Sequence, residues 1–271
     1  MTAQPLFPWI GGKRKLAGSI IPLFPDHQCY VEPFCGAGGM FFSKPESPSE
    51  VLNDINHDVF NLFRVVKHHF EALYLEFKWA LSSREYFQTL QRTPPDTLTD
   101  IQRAARFLYL QKLAFGGKVK GQTFGASTTS RPKFNLLTLE HDLQEVHFRL
   151  SAVTLERKPW AEIVEAYDRP HTLFYCDPPY WDVEGYGVEF PIEQYIEMAT
   201  LATTIQGRMI ISINGHPKMR EVFRALPCRE FEYSYTVAAG DQRTDCVELV
   251  FGNWEGGKAP RPREIQAGLF G

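Results

Sequence analysis

The 271-residue chain lacks several things that narrow its class. No apolar run approaches the roughly 20 residues that span a bilayer. Met1-Thr2-Ala3-Gln4-Pro5 carries neither the charged nor the apolar region of a signal peptide. A cytoplasmic protein with no membrane partner is therefore expected. Cysteine is scarce: five residues, at positions 29, 35, 176, 228 and 246, with no Cys-x-x-Cys pair. An odd count without that spacing indicates neither a disulfide framework nor a zinc site, and no metal is expected. A large charge excess is also missing. The formal net charge is -3, which gives no global electrostatic argument for a polyanionic partner. Internal repeats are absent. What remains, 44% hydrophobic and 23% charged residues, describes an ordinary globular protein.

Hydrophobic patterning alternates strand and helix. Strands are expected near 28–32, 50–54, 152–156, 172–176, 208–214, 229–238 and 244–251. Helices are expected near 12–22, 38–43, 57–69, 160–167, 191–206 and 217–225. The pattern predicts an α/β fold, a mostly parallel sheet with helices on both faces. The last two strands, joined at Ala239-Gly240-Asp241, read as a hairpin that puts an antiparallel strand into it. Residues 70–150 break the alternation and read as helices, Ile101 to Lys112 among them, followed by a Gly/Ser/Thr/Pro-rich loop. They are expected to form an inserted, mainly helical domain between halves at 1–69 and 151–252. Residues 253–271, with Gly256, Gly257, Pro260 and Pro262, read as a flexible tail.

Two segments carry chemistry. Asp177-Pro178-Pro179-Tyr180 follows the apolar run Thr172 to Cys176. A carboxylate, a stiff turn and an aromatic ring thus meet at the C-terminal end of a strand, where open α/β sheets bind ligands. The Asp177 carboxylate and the Pro178 carbonyl can each accept an N–H bond from a flat exocyclic amine and free its lone pair. The proline rings hold the carbonyl direction, and Tyr180 can stack on the base. A helix N-cap followed by prolines gives the same tetrapeptide a purely structural reading. The second segment is Glu32-Pro33-Phe34-Cys35-Gly36-Ala37-Gly38-Gly39, followed by a strand ending in Asn53-Asp54-Ile55-Asn56. A glycine turn and an acid closing the next strand is a nucleoside-binding layout. Asp54 takes ribose hydroxyls and Ile55 packs on the adenine. Phe34 lines the pocket or the core. Nicotinamide dehydrogenases share this layout, but the third glycine of Gly-x-Gly-x-x-Gly is replaced here by Met40 and Phe41.

Together with Pro8-Trp9-Ile10-Gly11-Gly12-Lys13, these motifs resemble, in content and order, the Dam-type DNA adenine-N6 methyltransferases of bacteria and their phages. Met209 to Asn214 and Arg243 to Leu249 extend the likeness. The resemblance implies a Rossmann-like methyltransferase sheet, S-adenosylmethionine as cofactor, double-stranded DNA as partner and base flipping of the target adenine. It implies cofactor contacts at Trp9, Lys13, Phe34, Gly36, Gly38, Asp54, Ile55 and Asp177, and catalysis by Asp177, Pro178 and Tyr180. It marks residues 70–150 as the target-recognition domain. There the stretch from Ile101 to Asn135 contains seven cations and no acid. Lys118 and Lys120 in a glycine-flanked loop, with Arg131 and Lys133 beyond, are expected to contact DNA phosphates. Trp181 and the turn Glu184-Gly185-Tyr186-Gly187 read as a lid. The alternatives are methylation of an amine on RNA or a protein glutamine and, weaker, a nicotinamide oxidoreductase.

Overall fold

The computed structural model describes residues 3–80, 82–119, 121–125, 134–183, 185, 187–236 and 243–254. Seven strands form one sheet: β1 (Cys29–Glu32), β2 (Ser49–Asn53), β3 (Thr154–Glu156), β4 (Thr172–Cys176), β5 (Arg208–Asn214), β6 (Cys228–Thr236) and β7 (Arg243–Gly252). Their order is β3-β2-β1-β4-β5-β7-β6. β3, β2, β1, β4 and β5 pair in parallel, while β7 runs antiparallel to both β5 and β6. This is the mostly parallel sheet with a closing hairpin that the sequence predicts.

The central strands read as unbroken apolar runs because both faces are covered. In β4, Leu173 and Tyr175 pack with Leu16 and Ile20 of the N-terminal segment and with Tyr30 and Met40. Phe174 and Cys176 point the other way, onto α6 (Trp160–Tyr167), α7 (Ile192–Thr204) and α8 (Pro217–Val222). The first face also carries α1 (Ala17–Ile20), α2 (His57–Phe77), α3 (Arg84–Arg92), α4 (Asp100–Leu113) and α5 (Leu136–Leu150). α2 starts where the Asn56 side chain accepts the Asp58 and Val59 amides, and α4 starts in a Thr99/Gln102 capping box.

Three expectations shift. Residues 38–43 form turns rather than a helix, because Gly38 sits at φ +72° and bends the chain so that Met40, Phe41 and Phe42 all become buried. Residues 12–22 form short helical turns around α1, interrupted at Leu16. α2 continues to Phe77 across a kink at His69, at φ -143° and ψ 32°. Past that kink the helical segment 70–150 stays tied to the sheet. Val59, Leu62 and Phe63 of α2, Phe107 and Leu108 of α4, and Leu143 and Val146 of α5 share one apolar cluster with Leu52 of β2. Arg64–Asp100 (2.8 Å) and Arg103–Asp58 (2.6 Å) link α2 to α4. Arg149 of α5 holds Glu50 of β2. The residues joining β6 to β7 lie outside the described residues, as does the expected tail from 255 onward. Asn253, at the start of that tail, accepts from the Met209 amide (2.9 Å) and donates to the Gly207 carbonyl (3.0 Å).

β1 and β4 are neighbours whose connections leave in opposite directions, toward β2 and toward β5. Their C-terminal ends therefore flank a crevice, the place where open α/β sheets take ligands.

Candidate active site

Asp177 follows β4 directly and lies in that crevice. Its Oδ1 accepts from the Lys13 ammonium. Lys13 is almost fully buried (2% exposed) and also donates to the Gly11 carbonyl (3.2 Å). Its Nζ lies 3.3 Å from Oε1 of Glu248, a β7 carboxylate with no exposed surface, and 4.4 Å from the centre of the Tyr180 ring. Glu248 is a hub. Its Oε1 accepts from Ser212 Oγ (2.5 Å) and its Oε2 from the Tyr180 hydroxyl (2.6 Å). One buried carboxylate, Glu248, and one partly exposed carboxylate, Asp177, thus share one buried ammonium. Burial pushes the Asp177 carboxyl up to about 7; Lys13 pulls it down and Glu248 pushes it up.

The turn after Asp177 is braced along its length. The Pro179 carbonyl accepts from the Tyr195 hydroxyl (2.5 Å). The Trp181 amide donates to Asn214 Oδ1 (3.1 Å), and the Asn214 amide group donates to the Trp181 carbonyl (3.0 Å). Pro178 is buried between these anchors.

Two joined cavities meet at Asp177. The larger, about 430 Å³, is lined by Trp9, Lys13, Arg14, Glu32, the glycine turn and Asp177, among others. Burial raises Glu32 to about 8 while the Tyr30 hydroxyl donates to it at 2.6 Å. The smaller, about 220 Å³, is lined by Phe34, Asp54, Ile55, Trp160 and Phe190 among others. Trp9, Phe34, Gly36 and Asp177 border both. The glycine turn has no room for side chains. A Cβ on Gly36 would stand 2.6 Å from Trp9 Nε1 at a φ of +48°, and one on Gly38 2.8 Å from the Phe42 ring at +72°. Asp54 pins this turn: Oδ2 accepts from the Gly36 amide and Oδ1 from the Asn56 amide, both at 2.9 Å. Burial raises Asp54 to about 6, and those two bonds oppose the rise. Phe34 is neither simply core nor simply pocket. It lines both cavities while its ring lies 6.0 Å from Trp160 and 5.5 Å from Phe190.

A family model described as D12 class N6 adenine-specific DNA methyltransferase matches residues 9–235. The chain belongs to this family. Its chemistry is methylation of adenine at N6 in DNA. It is 30% identical to a DNA adenine methylase of Haemophilus influenzae, over 91% of this chain and 92% of that protein. It is 27% identical to a DNA N-6-adenine-methyltransferase of Escherichia phage P1, over 80% of this chain and 31% of the phage protein. It is 23% identical to the type II methyltransferase M.CviBI of Paramecium bursaria Chlorella virus NC1A, over 86% and 91%.

In this methyltransferase the sequence-predicted residues Trp9, Lys13, Phe34, Gly36, Asp54, Ile55 and Asp177 all border the crevice. Gly38 shapes the turn from behind. Tyr180 differs most from its expected setting. Only 9% of it is exposed, and its hydroxyl is tied to Glu248. Lys13 faces carboxylates of the protein itself. Of the expected DNA contacts, Lys118 is exposed on the loop after α4, while Lys120, Arg131 and Lys133 lie outside the described residues. That loop folds back, with the Phe115 amide donating to the Thr123 carbonyl (2.9 Å), and the Val119 amide donates to the Gly185 carbonyl (3.1 Å). The expected lid and the basic loop therefore touch, although Glu184 and Tyr186 lie outside the described residues. Sequence reasoning missed Glu248, Ser212 and Trp160. The available signal for the first was one acid inside the apolar run Val247 to Phe251.

Proposed function

We propose that the protein binds S-adenosylmethionine across the two joined cavities and methylates an adenine flipped out of duplex DNA, with Asp177 and Pro178 as the acceptors that hold the target amine. The observation that carries this reading is the position of Asp177, shared by both cavities and held beside the buried Lys13. The donor set fits the cofactor. Asp54 offers carboxylate lone pairs for ribose hydroxyls in a cavity walled by Ile55, Phe34 and Trp160, and the side-chain-free turn at Gly36 lets a ligand approach the backbone. Asp177 and Glu248 outweigh Lys13 by one negative charge when both are ionised, which complements a cation. When bound, S-adenosylmethionine supplies an electrophilic methyl group on a sulfonium.

The rest is positioning by the chain's own groups. The Asp177 carboxylate and the Pro178 carbonyl accept the two N–H bonds of the amine and direct its lone pair into the crevice. The bonds from Tyr195 to Pro179 and between Asn214 and Trp181 keep the turn from yielding, and such preorganisation supplies most of the rate in reactions of this kind. A stacked base cannot reach the crevice, so the adenine leaves the duplex at a cost of a few kcal/mol. The 70–150 segment, with Lys118 exposed and its loop against Gly185, is the side that faces DNA in this reading.

Incubating the protein with methyl-tritiated S-adenosylmethionine and unmethylated DNA, then digesting to nucleosides, tests the assignment. Label is expected in N6-methyl-2′-deoxyadenosine from DNA, absent with RNA or protein acceptors, and lost in Asp177→Ala with the fold retained. Equal labelling of RNA, or full activity in Asp177→Ala, would refute it.

A further inference from the structure

We propose that Glu248 is a positioning residue for methyl transfer: it anchors Tyr180 through the phenol and holds Lys13 between itself and Asp177, fixing the ring and keeping Asp177 a strong acceptor. The inference rests on the reading of Asp177 as the amine's acceptor. It starts from an energetic oddity. Glu248 sits in the middle of the sheet, paired across to Asn214 of β5 and Phe231 of β6, with no exposed surface. A buried carboxylate there is costly unless its oxygens are matched by donors. Its donors are Ser212 Oγ, the Tyr180 hydroxyl and the Lys13 ammonium. If Glu248 served only to tie down a phenol, a neutral acceptor in the same place would suffice at lower cost. The charge matters because of Lys13. An ammonium committed to Asp177 alone would draw electron density from the carboxylate oxygens and compete with the amine for them. A second carboxylate 3.3 Å from the same Nζ divides that pull.

The groups around Asp177 and its partners Tyr180 and Glu248 come from several elements of the crevice. They are Lys13 before α1, Glu32 at the end of β1, Tyr175 on β4, Tyr180 on the turn, Ser212 on β5, Tyr233 on β6 and Glu248 on β7. Lys13 is the cation of this set; Glu32 and Glu248 are its other carboxyls. Burial raises Glu32 to about 8, so near pH 7 it adds little negative charge to this set. Glu248 reaches the site from β7, the antiparallel strand of the sheet, which gives that strand a role in the chemistry.

Two variants separate the charge from the tether. Glu248→Gln keeps an oxygen for the Tyr180 hydroxyl but removes the charge. Lys13 then pairs with Asp177 alone, and the acid limb of the kcat profile is expected to move down by about one pH unit with a lower plateau. Glu248→Asp keeps the charge but shortens the reach. Its acid limb is expected to stay in place while kcat falls about 10- to 100-fold, with the cofactor KM changed by less than about 3-fold. An acid limb in Glu248→Gln that coincides with wild type, or a parallel loss of kcat and cofactor affinity in Glu248→Asp, would overturn the inference. If Glu248→Gln does not fold, the cycle between Glu248→Asp and Tyr180→Phe decides. Acting through the same bond, the two losses should not add, and additive losses would overturn the tether. Wild type and Asp177→Ala are measured alongside. If wild type places no label on adenine, or Asp177→Ala is active, the underlying reading fails. If both behave as expected and the Glu248 variants do not, only the role of Glu248 fails.

Discussion

Replacing Lys13 by Met tests the charge arrangement most directly, because Met preserves the length of the stem and removes only the ammonium. In wild type that ammonium is buried between Asp177 and Glu248 and lies over the Tyr180 ring. Its loss leaves two carboxylates facing each other, Glu248 fully buried and Asp177 partly so. Breaking a buried pair costs about 3–5 kcal/mol when the remaining charge has no escape. Here it has one. Asp177 already titrates near 7, so protonating it at pH 7 costs well under ~1.4 kcal/mol. The expected stability loss therefore shrinks to about 1–2 kcal/mol, a fall in melting temperature of roughly 2–8 °C. Activity takes the larger loss. Removing a cation at this distance should raise Asp177 by ~2 units, so that at pH 7 only about one molecule in a hundred holds the acceptor ionised. Half of the wild-type acceptors are ionised at pH 7, so methyl transfer should fall about 50-fold there and recover nearly tenfold per pH unit up to about 9.

The stability trend runs the other way. The folded-state pKa of Asp177 lies above its ordinary 3.8, so its stabilising contribution is complete below 3.8 and lost as pH rises through about 7. In Lys13→Met the loss continues to about 9, so the stability deficit grows with pH while the activity deficit shrinks. Parallel pH series of label transfer and thermal melting read both. An activity loss independent of pH between 6 and 9, in protein shown to be folded, would refute the reasoning.

Asp54→Ala removes a ribose acceptor and the tether of the glycine turn together. S-adenosylmethionine affinity should drop by about 1–3 kcal/mol or more by calorimetry, and a folded variant with unchanged affinity would remove Asp54 from the site. In wild type the same affinity should weaken as pH falls through about 6, where the carboxylate takes a proton, and a flat profile from 7 to 5 would argue against an ionised Asp54 as acceptor. Gly36→Ala forces a Cβ against Trp9 at a positive φ, with strain of about 1–2 kcal/mol. Lower melting temperature and weaker cofactor binding are expected, and a variant matching wild type in both would mean that the turn relaxes freely.

How much was legible in the sequence depended on whether the signal was local. Thr172 to Cys176 and Arg208 to Asn214 are strands of the expected extent because Thr172–Cys176 and Met209–Ile213 are buried on both faces, and largely apolar runs of that length say so directly. Asp54 and the glycine turn were readable as neighbours because they follow the consecutive, paired strands β1 and β2. Residues 38–43 misled because Met40, Phe41 and Phe42 are as apolar as a helix face, yet a left-handed glycine places them in two different clusters. The setting of Tyr180 was out of reach. Its partner Glu248 lies 68 positions away, and Lys13 lies 164 positions from Asp177. Those contacts are made by the order of the strands, which brings β7 beside β5, and by the entry of the N-terminal segment over β4. No local pattern encodes either.

The same limit applies to the basic stretch from Ile101 to Asn135. Counted along the chain it holds seven cations and no acid, which suggests a uniformly DNA-facing surface. Folding brings acids and carbonyls to it from elsewhere. Arg103 pairs with Asp58 and Asp96. Arg106 donates to the Leu90 carbonyl at 2.7 Å, and burial lowers its pKa. Lys112 lines the larger cavity, where burial lowers its pKa. Lys118 is the one described cation of the stretch on an exposed loop; the other expected phosphate contacts, Lys120, Arg131 and Lys133, lie outside the described residues. Each phosphate contact contributes about 0.9 to the slope of log affinity against log salt, so this stretch should contribute about 4 rather than about 6. Lys118→Ala should lower the measured slope by about 0.9 with cofactor affinity unchanged, whereas Arg106→Gln should leave the slope as it is. A slope that falls with Arg106→Gln and not with Lys118→Ala would place the duplex against the wrong face of α4.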